Sequence, residues 1–367
     1  MRLTLDDDQQ DLAEAVTRLV RRRADTLDLR ASIASDRGYD DVLWTTLCDQ
    51  IGAAALAIPE EDGGAGFTLL ETLVVAERLG AGLTPGPLLG SAVLAAQAVL
   101  LAAGPADRAR LLPALAEGRT IGTLAWADRQ GRWRTDGSDV VAGRTGDEWL
   151  LSGTATLALD GAEAELLLVV ADTPDGVGLF EVATTAVGLV RTATPALDPT
   201  LRFATLTLDR TPATALTTDA AAALARLRDV AAVAVTALQV GAAEAALGRT
   251  VDYLTGRVQF GRPLGSFQAL KHRLADLFVQ VESARSMFLA AAWAAAHDPA
   301  DLPFRAACAK AWCSEAFTAV AAEMVQMHGG IAITWEHDAH LYFKRAHATA
   351  QLFGTAREHR RRLLRHV

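Results

Sequence analysis

The chain has 367 residues, 51% of them hydrophobic and 22% charged, with a formal net charge of -9. At roughly 150 residues per domain this length predicts two or three packed units, and the apolar share excludes a disordered chain. The acidic balance excludes a nucleic-acid binder working through a basic stripe, because such a stripe must neutralise phosphates.

In chain order, the opening run from Met1 to Asp8 has no apolar stretch after its first charge and does not read as a secretory signal. Leu12, Val16, Leu19 and Val20 recur at helical spacing behind Thr4 and the aspartates Asp6, Asp7 and Asp8, which suit the positive end of a helix dipole. Ile58-Pro59-Glu60-Glu61-Asp62-Gly63-Gly64-Ala65-Gly66 is too rich in glycine for a helix and predicts a loop. Thr68-Leu69-Leu70-Glu71 is a capping box, opening a helix expected to stop at Gly80. Further helices are expected over 87–103 and 106–117.

Near Arg119 the pattern changes to short apolar runs over 123–127, 154–159, 166–170, 178–182 and 204–208, with turns such as Thr173-Pro174-Asp175-Gly176 between them. This is the pattern of an antiparallel β domain. Long helices then follow over 220–253, 267–297 and 305–328, with a shorter pair at the end, and Ser266 is the expected N-cap of the second. The predicted fold class is α+β, with an N-terminal α-helical domain over 1–118, a middle antiparallel β domain over 119–218 and a C-terminal four-helix bundle over 219–367. The Ala-rich face around Ala290-Ala291-Ala292 is expected to pack between subunits at the core of a tetramer.

The apolar stretches look interrupted before about 18 residues, so no membrane span is expected. Three cysteines, Cys48, Cys308 and Cys313, make no disulfide framework and suit a reducing, cytoplasmic compartment. Cys308 and Cys313 fall on different faces of a helix and read as small fillers.

Familiar catalytic motifs are missing. No GxGxxG follows a strand, and no P-loop, GxSxG elbow or HExxH occurs. His337 and His340 flank Asp338 without obvious further ligands and read as surface polar residues, so no metal is expected. Arg357, Arg360, Arg361, Arg362 and Arg365 read as a solvated face favourable to a helix C-terminus.

Two segments resist so plain a reading. Residues 253–272 break two helices with glycines and a proline, and place Arg257, Gln259, Phe260 and Phe267 at the break, beside a helix N-terminus that favours an anion. Gln326-Met327-His328-Gly329-Gly330 ends a helix in paired glycines, which allow close approach of a cofactor or another backbone.

Both segments closely resemble the acyl-CoA dehydrogenase family, and the likeness extends over essentially the whole chain. The 58–66 loop is similar to that family's Pro-Glu-x-x-Gly-Gly element, and Leu151-Ser152-Gly153-Thr154 to its middle-domain strand. The resemblance implies FAD, an acyl-CoA substrate, dehydrogenation across the α and β carbons and an electron-transfer flavoprotein-type acceptor. It also implies that Arg257, Gln259, Phe260, Leu264, Phe267, Gln326, Gly329 and Gly330 hold the pyrophosphate and adenosine half of an FAD seated in a neighbouring subunit. Arg257 would supply the charge-assisted contact.

The departures from the family pattern are equally informative. Phe353, in Gln351-Leu352-Phe353-Gly354-Thr355, occupies the position of the usual catalytic glutamate, and Ala231 lies where some members place the base instead. Asp229 and Glu358 are out of helical phase with those positions. Ala125-Trp126-Ala127-Asp128-Arg129-Gln130-Gly131 replaces the family's Thr-Glu-Pro-x-x-Gly-Ser-Asp segment, and Leu157 stands where a flavin-covering tryptophan is common. A missing base forfeits roughly 10²–10⁴-fold in rate. The resemblance therefore points to the degenerate, non-catalytic subunit of a bacterial α2β2 acyl-CoA dehydrogenase, paired with a homologous catalytic subunit and acting on steroid or other bulky acyl side chains. A self-sufficient homotetramer with its base elsewhere, a flavin monooxygenase of the same fold and a purely structural paralogue remain as alternatives.

Overall fold

A computed structural model of the chain describes residues 3–24 and 29–364. Of the residues named above, Met1 and Arg365 lie outside the described residues. The first helices are α1 (Asp7–Ala24), α2 (Leu29–Ala34), α3 (Asp41–Ile51), α4 (Leu69–Ala81), α5 (Ala96–Ala102) and α6 (Pro105–Ala116). The strands β1 (Gly122–Ala125), β2 (Val140–Thr145), β3 (Glu148–Leu159), β4 (Leu166–Thr173), β5 (Gly176–Val182), β6 (Leu189–Thr194) and β7 (Phe203–Thr217) follow. The long helix α7 (Ala221–Gly256) leads into a small hairpin, β8 (Val258–Gln259) and β9 (Arg262–Pro263). Then come α8 (Gln268–His297), α9 (Leu302–His328), α10 (Ala339–Gln351) and α11 (Ala356–Leu363).

Local chemistry sets several of these ends. Asp6 and Gln9 exchange side-chain and backbone bonds at 3.0 and 3.2 Å, so Asp6 caps α1. At α4, the Glu71 carboxylate accepts from the Thr68 amide at 2.9 Å and the Thr68 hydroxyl at 2.7 Å, which is the expected box. Helix α4 runs one residue past its expected stop, because Gly80 is a packing residue: a Cβ there would lie 2.4 Å from the Leu238 carbonyl oxygen of α7. Ser266 does not cap α8. Its hydroxyl turns back to the Pro263 carbonyl at 2.7 Å within a 3-10 turn, and Phe267 takes the cap position without a side-chain bond.

The chain packs as two compact units, a different partition from three consecutive domains. One comprises Met1–Val20, Leu73–Thr84 and Ala232–Val367; the other comprises Arg21–Thr72 and Pro85–Ala231. In the second unit the seven-stranded sheet runs β1-β4-β2-β3-β7-β5, with β6 on β7, and it closes because β5 pairs with β4 as well as β7. Closure leaves few exposed edges. The sheet is mixed, which corrects the antiparallel expectation. β1 lies parallel to β4 and β2 touches β4 in parallel, whereas the other pairs are antiparallel. The β2–β3 hairpin intervenes between β1 and β4, long enough to supply the crossover that a parallel pair needs. Val140, Leu151, Leu167, Val169, Phe180 and Leu206 fill the interior. Residues 88–95 form a fully buried π-helical stretch ahead of α5, in place of the single expected α-helix.

In the first unit α9 is central, packed by α8, α10 and α11. Gln239 of α7 joins α9 and α10 through Ser314 at 3.1 Å and Thr349 at 3.2 Å, all three side chains being buried. Helix α7 corrects the reading of the apolar stretches: by length and composition it would cross a membrane, but 89% of its apolar window is buried in the protein, as in a core helix. Ala290, Ala291 and Ala292 are likewise buried within their own chain, so they are not a free face for tetramer contacts. The large apolar residues exposed on α8 are Phe278, Val279 and Met287.

Candidate functional site

The last turn of α7 carries the first candidate segment. The Arg257 amide donates to the Tyr253 carbonyl at 2.8 Å, and the Leu264 amide donates to the Arg257 carbonyl at 2.8 Å, closing the β8–β9 hairpin at its base. At its tip Phe260 and Gly261 have φ of +55° and +77°, the signature of a tight two-residue hairpin turn. Phe260 is conformationally strained there, since a bulky residue rarely adopts positive φ. It is 87% exposed. Its ring meets the edge of Phe267 at 6.1 Å, and the Arg262 guanidinium sits 3.8 Å from the Phe267 ring centre. Arg257 and Gln259 are exposed, Leu264 and Phe267 half-buried, and Arg257 has no acidic partner among the described residues.

Gln326 lies exposed on the final turn of α9, and Gly329 and Gly330 continue from it. A Cβ on either glycine would meet nothing within 4 Å, so the backbone there faces open space. Tyr253 ties this element to the arginine turn. Its ring stacks on His328 at 4.3 Å and 23°, and its hydroxyl donates to the His328 carbonyl at 3.3 Å. The structure thus brings the two segments into one assembly, through residues to which the sequence reading gave no role.

Around Phe353 the chemistry is of another kind. Phe353 is 2% exposed and has φ of +55°, followed by Gly354 at +103°. His359 holds the turn itself, and Lys310 holds the end of α10 that leads into it. His359 of α11, 1% exposed, places Nε2 2.9 Å from the Phe353 carbonyl oxygen. Lys310 of α9, wholly buried, donates to Ser314 Oγ at 3.0 Å and to the Thr349 and Ala350 carbonyls at 3.1 and 3.2 Å. Burial pushes its pKa down to about 7, while three acceptors for three N–H groups suit the protonated form. Glu358 is spent on a capping box, accepting from the Thr355 amide at 2.8 Å and hydroxyl at 2.9 Å. The Thr355 amide bond holds its carboxyl below the usual range. Ala231, with Val230, Ala232 and Val233, is completely buried in α7, an apolar stretch without an ionisable group.

In the β-domain unit, Leu157 occupies a bulge of β3 with φ of +51°, between the Ala155–Leu206 and Ala158–Ala204 pairs. A Cβ on Gly131 would lie 3.2 Å from its Cδ1, so the altered 125–131 segment covers it. That segment is firmly built. The Thr156 amide donates to the Ala127 carbonyl at 2.8 Å and the Thr156 hydroxyl to the Asp128 carbonyl at 2.6 Å. Burial opposes ionisation of Asp128, but the Arg132 and Gln130 amides and the Arg132 guanidinium outweigh it and hold the carboxyl below its ordinary range.

His337 corrects its reading as a plain surface residue. It is half-buried ahead of α10, its Nδ1 accepts from the Ala339 amide at 3.0 Å, and its ring lies 4.5 Å from that of His328. His340 sits within α10 and meets Trp335 edge-on at 4.8 Å. Tyr253, four residues before Arg257, and His328, two after Gln326, were in view as letters. Only the meeting of α7 with the end of α9 reveals their joint role.

The acyl-CoA dehydrogenase C-terminal domain family matches residues 220–367, and its N-terminal domain family matches residues 6–119. The chain is 44% identical over 361 residues to acyl-CoA dehydrogenase IpdE2 of Mycobacterium tuberculosis, covering 98% of each chain. Among solved structures, a chain from a variant of the Tcur3481-Tcur3483 steroid ACAD is similar with a TM-score of 0.88 and 36% identity, over 99% of this chain and 98% of that one. The ChsE4-ChsE5 complex from Mycobacterium tuberculosis gives a TM-score of 0.88 and 32% identity, over 100% of this chain and 98% of that one. With the fold, the arginine turn and the Gly-Gly element in place, the chain belongs to the acyl-CoA dehydrogenase family of FAD-dependent flavoproteins.

Proposed function

We propose that this chain is the non-catalytic subunit of a heteromeric acyl-CoA dehydrogenase acting on CoA thioesters with steroid or other bulky acyl side chains. The observation that carries this reading is the contrast between its two half-sites. The arginine turn and Gly-Gly element are exposed and unencumbered, whereas the base position holds a buried phenylalanine in a turn braced by Lys310 and His359.

FAD suits the exposed half-site. The bare backbone at Gly329 and Gly330 leaves room for a close approach, and Arg257 offers a forked donor set with no acid already paired to it among the described residues. When bound, FAD supplies the hydride acceptor for the β carbon of the thioester. Arg257 would donate to the pyrophosphate, with Gln259, Gln326 and the Gly329–Gly330 backbone as polar contacts and Phe260, Leu264 and Phe267 as apolar cover. The α proton is the part of the reaction this chain does not serve. Phe353 can neither accept nor hold it, and Glu358 is committed to its helix cap.

The Tcur3481-Tcur3483 and ChsE4-ChsE5 pairs named for the two solved relatives support a heteromer here, and we take a catalytic homologue as the partner. An electron-transfer flavoprotein-type acceptor and a cytoplasmic location complete the reading. The test is purification of the chain alone and with a co-expressed homologue. The expected result is a colourless chain alone and a yellow, active complex. A chain that is yellow alone and oxidises acyl-CoA would overturn the assignment.

A further inference from the structure

His328 is the last residue of α9, 4% exposed, and one of its ring nitrogens is used: Nδ1 lies 2.8 Å from the Met324 carbonyl oxygen and donates to it. That assignment leaves Nε2 as a lone-pair acceptor, and Nε2 is buried without a hydrogen-bond partner. The ring has Tyr253 against it at 4.3 Å and His337 at 4.5 Å, while Tyr253 and His337 meet edge-on at 6.5 Å. Three rings from three places in the chain therefore pack together: the last turns of α7, the end of α9 and the approach to α10. Tyr253 adds the bond from its hydroxyl to the His328 carbonyl, immediately before Gly329.

We propose that Tyr253, His328 and His337 form a positioning cluster that fixes the spacing between Arg257 and Gly329–Gly330. This inference rests on the reading that those residues hold the pyrophosphate half of an FAD. The mechanical argument is direct. Arg257 hangs from the Tyr253 carbonyl at 2.8 Å, and Gly329 follows His328 in the chain, so the Tyr253–His328 contact is one link from each. None of the three needs to touch the cofactor.

The cluster also has an acid limit. Burial holds the His328 imidazole below its ordinary pKa of 6.5, and the nearby His337 adds to the effect. The elements around it also carry Arg249, Asp252, Tyr253 and Arg257 at the end of α7, Glu323 on α9, and Glu336, Asp338, His340 and Tyr342 on the α10 side. Arg249 is paired to Asp338 at 3.0 Å and lies over the Tyr342 ring. A depressed histidine pKa means the packed form prefers the neutral ring. The arrangement is intact above about pH 6.5 and is lost as the pH falls through that value towards the lowered one.

The test measures FAD affinity of the co-expressed complex by flavin fluorescence, from about pH 5.5 to 8, for wild type, H328A, H328F, Y253F and R257A. H328A should weaken FAD by roughly 2- to 10-fold near pH 8, the loss expected for one aromatic contact. H328F, which keeps the ring, should restore affinity to within about twofold at pH 8 and abolish the loss seen in wild type at acid pH. If H328A does not fold, H328F and Y253F carry the test, Y253F weakening FAD while retaining its ring. R257A should weaken FAD about 10-fold or more at every pH. If R257A weakens FAD while the His328 and Tyr253 variants match wild type at every pH, the positioning role is wrong and the half-site reading stands. If R257A leaves affinity unchanged, the half-site reading falls and this inference with it.

Discussion

Phe353 is the departure from the family pattern that falls on the usual base position, yet a glutamate there is not expected to restore activity. Phe353 is buried in a turn of positive φ, with its carbonyl bound to His359. A glutamate there would place a carboxylate in a buried site, where it must either find donors or take up a proton. F353E is therefore expected to destabilise the chain by roughly 2–4 kcal/mol and to give no dehydrogenase turnover in the isolated chain. Urea titration and a dye-reduction assay check the two parts, and turnover by the isolated F353E chain would mean that the rest of a working site is intact. The departure at Phe353 was legible as a letter against a family pattern, and so were Leu157 and the 125–131 segment. The strain at Phe353, Leu157 and Phe260 was not, because positive φ at a bulky residue is imposed by the turn, bulge or packing around it and leaves no mark in composition. The buried, unpaired nitrogen of His328 was hidden for the same reason: it depends on what α7 and the approach to α10 bring to it.

Among the elements, the long helices and the first turn of α4 follow from periodicity and capping. Their packing points do not. Gly80 of α4 reads as a helix stop, and Gly241 falls inside the helix expected over 220–253, but each marks the crossing of α4 and α7. A Cβ on Gly241 would lie 1.9 Å from the Glu77 carbonyl oxygen. G241A is expected to force the helices apart and cost about 1–3 kcal/mol, seen as a lower urea midpoint with an unchanged slope. A midpoint equal to wild type would mean that α4 and α7 separate without loss. The strands of the large sheet missed in the sequence, β2 and β6, are largely exposed: only Val140 and Ala142 are buried in β2, and β6 has no fully buried residue. Both lack the apolar run that betrays a buried strand, and both are defined by pairing with β3 and β7. Ser266 shows the opposite error. A residue with a good capping side chain used it on the preceding turn, because the 3-10 segment Leu264–Ser266 brought the Pro263 carbonyl within reach.

For the whole molecule, the expected order of helices, strands and helices holds along the chain, while the compact units are interleaved: stretches of α1 and α4 belong with the C-terminal helices. Such long-range grouping is invisible to local patterns. The same scale carries the functional claim, that the chain lends an exposed half-site to a partner while its own base position is filled. The most direct measurement is anaerobic bleaching of the flavin by acyl-CoA substrate in a complex whose catalytic partner has had its glutamate base replaced by glutamine. The expected result is loss of bleaching, slower than wild type by roughly 10²-fold or more, because Phe353 cannot take the α proton and Glu358 is bound in its helix cap. Bleaching at a rate near that of the wild-type complex would contradict it and show that this subunit carries a working base.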